Sequence, residues 1–60
     1  MPVEVGLTDG TKIVLANPSA HEDDVVATVR SDPNGMMTLV GEDGTYRVAI
    51  RNVTYIRTLD

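Results

Sequence analysis

The sequence predicts an all-β fold: a small antiparallel meander of five or six strands that curls into a barrel. Three observations predict it. Nineteen of the sixty residues are Val, Ile or Thr, whose branched Cβ favours a pleated strand over a helix. Apolar and polar residues alternate over short runs, the period of a strand with one buried face. Tight glycine-containing turns separate those runs, and connections so short require antiparallel neighbours. Curling into a barrel pairs the strand edges that a small open sheet leaves bare.

Val3, Val5 and Leu7 alternate with Glu4, Gly6 and Thr8, giving a first strand. Asp9-Gly10 follows, a dipeptide that tolerates the positive φ of a hairpin turn. Lys12 to Ala16 reads as the second strand, with Ile13 and Leu15 on one face, and Asn17-Pro18 ends it because proline brings no amide hydrogen. Residues 19–31 carry two signals. Ser19 and Glu22 have capping-box spacing, and Val25, Val26 and Val29 lie at helical spacing. Equally, Val25, Ala27 and Val29 alternate with Asp24, Thr28 and Arg30. The turn chemistry of Asp32-Pro33-Asn34-Gly35 favours a hairpin over 24–41. The alternative is an α+β fold, ββαββ, with a helix at 20–31. Met36 to Val40 forms the returning strand, Glu42-Asp43-Gly44 a further turn, and Tyr46, Val48 and Ile50 face one way from the next strand. Arg47, Ala49 and Arg51 face the other. Val53 to Leu59 supplies a last short strand, and the whole of 1–60 is expected to be a single small β-barrel domain.

Composition narrows the function classes. The chain is 42% hydrophobic with two tyrosines as its only aromatics, and it has no cysteine. That excludes a disulfide scaffold and a thiolate metal site, and no apolar run approaches the length of a bilayer span. Met1-Pro2-Val3-Glu4 lacks the basic and apolar segments of a secretion signal, so a cytoplasmic chain is expected. Asn52-Val53-Thr54 then matches a glycosylation acceptor by chance. The net charge of −4 is uneven. Residues 1–44 set Lys12 and Arg30 against eight carboxylates, while residues 45–60 set Arg47, Arg51 and Arg57 against Asp60. An acidic body disfavours generic binding to a phosphate backbone and permits complementarity with a basic surface, although exposed charge also serves plain solubility.

Candidate chemistry is sparse. His21-Glu22-Asp23-Asp24 gathers a histidine and three carboxylates, but consecutive residues fan apart on a helix and alternate faces on a strand, so they do not converge on one ion. A solvated acidic segment is the plainer reading, and neither a metal nor a cofactor is expected. His21 has no second histidine as partner and no pocket-building aromatics around it, so no enzyme is expected. The glycines do not form a phosphate-cradling loop, and Gly6, inside a strand, marks a bulge or a close backbone approach. Arg47, Arg51 and Arg57 form a basic final segment; with Tyr46 and Tyr55 they could contact nucleic acid, although alternation puts Tyr46 on the opposite face from Arg47 and Arg51.

From Met36 onward, MMTLVGEDGTYRVAIRNVTYIRTL resembles the second half of Src-homology-3-like (SH3-like) small barrels. That resemblance implies a tight turn at Glu42-Asp43-Gly44, one helical turn at Arg51-Asn52-Val53 and a closing strand from Tyr55 to Leu59. The aromatic groove with which members of that family bind peptides is not evident. The stretch DGTKIVLANP is also similar to short flagellar-operon FlbD-type proteins and to small bacterial and phage proteins, which implies an accessory or regulatory role. The leading expectation is therefore a non-enzymatic protein–protein interaction or self-assembly module, a homo-oligomer or the docked partner of a larger protein. Met36, Met37 and Val40, on a strand apolar on both faces, are the candidate interface. A nucleic-acid-associated barrel that gathers Arg47, Arg51 and Arg57 in an oligomer is the alternative. An oligomer holding a small ligand or ion through His21 and the acidic run is a third.

Overall fold

A computed structural model describes residues 2–60. Strand β1 (Val3–Leu7) turns into β2 (Lys12–Val14) with Val5 opposite Ile13. The turn is built as its residues dictate. Gly10 takes φ +92°, a region open to glycine. Asp9 Oδ1 accepts the Thr11 N–H at 2.9 Å, and the Leu7 N–H donates to the Thr11 carbonyl at 2.9 Å. The second strand is shorter than expected: only Leu15 continues it, as an isolated bridge to Gly41.

Residues 22–31 correct the expected hairpin over 24–41. They form a helix, α1 (Glu22–Ser31), so the ββαββ alternative describes this segment. Local chemistry outweighs the β-branched composition. Glu22, Asp23 and Asp24 occupy the first turn and Arg30 the last, both favourable with the helix dipole. Thr28 and Ser31 satisfy their hydroxyls on the carbonyls of Asp24 and Thr28, at 3.1 and 3.0 Å. The expected capping box between Ser19 and Glu22 does not form. His21 is the N-cap residue and makes no side-chain cap bond. Asn17 instead shapes the approach: its Oδ1 accepts from the Ser19 N–H at 2.9 Å and its carbonyl from the Ala20 N–H at 3.1 Å.

Strands β3 (Met36–Gly41) and β4 (Gly44–Ala49) form a hairpin across a two-residue turn, with Met37 opposite Val48 and Leu39 opposite Tyr46. A single 3-10 turn (Ile50–Asn52), one residue earlier than expected, leads into β5 (Val53–Thr58). β5 returns to β1 with Val5 opposite Ile56 and Gly6 opposite Tyr55. The next pair is Leu7 with Val53, so Thr54 is an extra residue on β5 and marks a bulge beside Gly6.

The result is two antiparallel sheets, ordered β2-β1-β5 and β3-β4, with one helix. The expected closed barrel is not found among the described residues. β4 and β5 are not paired, and the segment that would have supplied further strands is the helix. The sheets meet at one corner, where the Ala16 N–H donates to the Val40 carbonyl and the Glu42 N–H to the Val14 carbonyl, both at 2.9 Å.

Val3, Val5, Ile13, Leu15, Val25, Leu39 and Val48 form the buried cluster, and Ile50 is buried as well. Val3 with Val5, Ile13 with Leu15, and Val48 with Ile50 follow the alternation read from the sequence. Val3, Val5 and Ile13 are the most enclosed, so shortening one leaves a hole among rigid neighbours. Ile13→Ala should therefore cost ~2–5 kcal/mol, a large share of what sixty residues hold at ~0.05–0.15 kcal/mol each. Ile13→Val should cost ~0.5–1.5 kcal/mol. Urea titration followed by far-UV circular dichroism checks both; equal midpoints for the two variants would contradict this packing.

Candidate interaction surface

Two surface regions gather side chains from separate elements. The first lies on the outer face of β1. Glu4 points away from the core yet is buried, because β5 folds two side chains over it. The Tyr55 hydroxyl donates to Glu4 Oε2 at 2.9 Å, and Arg57 Nε donates to the same oxygen at 2.7 Å. The Tyr55 ring reaches this position by lying across Gly6, where an added Cβ would collide with the ring. That is the close approach expected of a glycine inside a strand, and the bulge expected as its alternative follows directly. The Thr54 hydroxyl donates to the Gly6 carbonyl at 3.1 Å.

The hydrogen bond from Tyr55, with that from Arg57 and its charge, holds the Glu4 carboxyl below its ordinary range, against the opposing effect of burial. The same bond raises the Tyr55 phenol. At the β1–β2 turn, the Thr11 N–H lowers the Asp9 carboxyl. Tyr46 donates to Asp43 Oδ2 at 2.8 Å and its phenol is raised by that bond.

The second region is a groove of about 430 Å³ between α1 and β3. Leu15, Val25, Met37 and Leu39 contribute its apolar lining, and Asp24 is its one charged residue. Met36 and Val40 stand on its rim, each 57% exposed, whereas Met37 turns inward against the core. Alternation along β3 produces this split: Met36, Thr38 and Val40 share one face and Met37 and Leu39 the other. The three candidate interface residues thus lie together on one strand, two outward and one inward.

The three candidate arginines lie on three different elements. Arg47 is exposed on β4 opposite Thr38, Arg51 lies in the 3-10 turn rather than on the strand, and Arg57 is on β5. Its bond to Glu4 uses part of the Arg57 guanidinium, and the side chain remains 61% exposed. His21 is exposed at the start of α1. Among the described residues no three of His, Asp and Glu cluster as metal ligands, and no helix is long and apolar enough to cross a membrane.

The sequence did not reveal Glu4, since a glutamate alternating with valines reads as solvent-facing. Its burial depends on the β1–β5 register, fifty residues apart. Gly6 was the available signal.

Because the folded Glu4 carboxyl titrates below its unfolded value, its stabilising effect is complete above the ordinary range near ~4.3. It is lost as pH falls through the lower folded value. Tyr55→Phe removes the leading cause of that shift, so stability should fall at neutral pH and become less steep in pH below ~4. Thermal melts of both proteins across the acid range check this; parallel curves would contradict it.

No family model, curated protein or solved structure matches the chain.

Proposed function

We propose that this chain is a non-enzymatic protein–protein interaction module that works through the outer side of β3 and the groove beside it. One observation carries the reading: Met36 and Val40, each 57% exposed, flank an apolar groove lined by α1, β3 and the segment that joins β2 to α1. Single exposed apolar residues are ordinary, but two on one strand beside an apolar cleft form a patch suited to contact. Methionine suits such a surface because its unbranched thioether adapts to the shape opposite. Arg47, Arg51 and Arg57 lie on three elements, and Arg57 is engaged by Glu4. That supports contact with protein over contact with a phosphate backbone, which favours a clustered basic face.

The reading distinguishes a free surface from packing within the fold. Met36→Glu and Val40→Glu should each alter stability by no more than ~0.5 kcal/mol, because neither side chain is enclosed. Chemical denaturation measures this, and a loss several times larger would assign the face to the fold rather than to a partner. Sedimentation over a range of concentrations identifies the occupant. A mass that doubles from 6.5 kDa and reverts in Met36→Glu identifies a second copy. A constant mass excludes a second copy and leaves only a different protein as the occupant.

A further inference from the structure

We propose that the groove receives an extended basic peptide segment, which adds to the free edge of β3 as a further strand. The inference rests on the interaction reading above and names its occupant.

The ladder directions show why the occupant is extended backbone. Ile50 donates its N–H to the Gly35 carbonyl at 3.0 Å on the β4 side, whereas Val40 accepts from Ala16 at 2.9 Å on the opposite side. Backbone groups of alternate residues point the same way along a strand. The N–H and C=O of Met36 and Thr38 therefore point away from β4. β2 reaches β3 only at Leu15 and Gly41, and among the described residues no strand covers that edge from Met36 to Leu39. Four residues at ~3.4 Å each make a short but complete template for strand addition. The groove lies beside the same edge, and its volume falls within the ~300–1,000 Å³ of ligand clefts. It can take the side chains that such a strand presents.

Charge selects among extended segments. Asp24 is the one charged residue lining the groove; Glu22 and Asp23, in the same helical turn, face a separate depression with Pro18, His21 and Thr58. Arg30 is the sole basic residue of α1 and lies in its last turn. A lysine or arginine on the incoming strand meets a carboxylate there. A second copy docked edge to edge through β3 would offer no such partner, because Met36–Gly41 carries no lysine or arginine. Nor does the fold require a copy to cover its core. Its accessible surface of 3,974 Å² is close to the ~3,800 Å² that a self-standing protein of this mass exposes.

The test uses a capped heptapeptide alternating lysine and valine, followed by fluorescence anisotropy and amide-shift mapping on the whole chain. Binding is expected, with shifts centred on Met36, Thr38, Asp24 and Thr28. The glutamate-for-lysine peptide should not bind, and Asp24→Asn should weaken the lysine peptide about two- to fivefold. N-methylation at the central peptide residue should weaken it about tenfold by removing a backbone donor. Thr38→Pro deletes the outward N–H and spares the β4 ladder, so it should abolish binding with the fold retained; if it unfolds, the N-methyl peptide carries the same test. Equal affinity for both charge variants, indifference to N-methylation, or shifts elsewhere would overturn the proposal. Absence of binding together with a mass doubling that Met36→Glu cancels would also overturn it, assigning the edge to a second copy and leaving the interaction reading standing. Absence of both would overturn the two together.

Discussion

The contact between the Tyr55 ring and the bare backbone of Gly6 governs how the two ends of the chain meet. Without a Cβ at position 6, the ring lies flat enough for its hydroxyl to reach Glu4 across the β1–β5 ladder. That places the first strand between β2 and β5 and directs Val3 and Val5 into the core. The carboxylate it covers is paired with Arg57 and bonded by Tyr55, so enclosing it leaves no orphaned charge. Opposite-charge partners directly across a ladder add to sheet stability, and the bulge at Thr54 then lets the ladder resume with Leu7 opposite Val53.

Where side chains repeat with a period of two, local sequence was enough. The inward sets Val3 with Val5, Ile13 with Leu15, and Val48 with Ile50 were legible because each strand carries its own alternation. The turns at Asp9-Gly10 and Glu42-Asp43 were legible because glycine and aspartate act within four residues. The outward turn of one of two adjacent methionines followed from the same periodicity. Residues 20–31 were not so readable. Their valines fit both periods, and the deciding terms, acidic residues at a helix start and an Asn17 turn before it, are each small.

The site divides along the same line. The exposed strand bearing Met36 and Val40 was visible in the sequence, because adjacent apolar residues on a strand cannot both face inward. The groove beside it was not, because it exists only where a helix from residues 22–31 is set against β3. The segment expected to pair with β3 in a hairpin is that helix itself. The edge of β3 is therefore bare for the same reason that the groove exists.

Helix α1 is fastened lightly. Val25 is its one buried residue, and it packs against β5 with Val26 and Val29 only half-covered. No ladder pair of either sheet involves α1, so α1 is the unit expected to open at the least cost. Its amides should lead those of β1 in hydrogen exchange. A wall that detaches at low cost gives the groove a variable width. The breadth of side chains it accommodates is then set by the packing of a single valine rather than by a rigid mould.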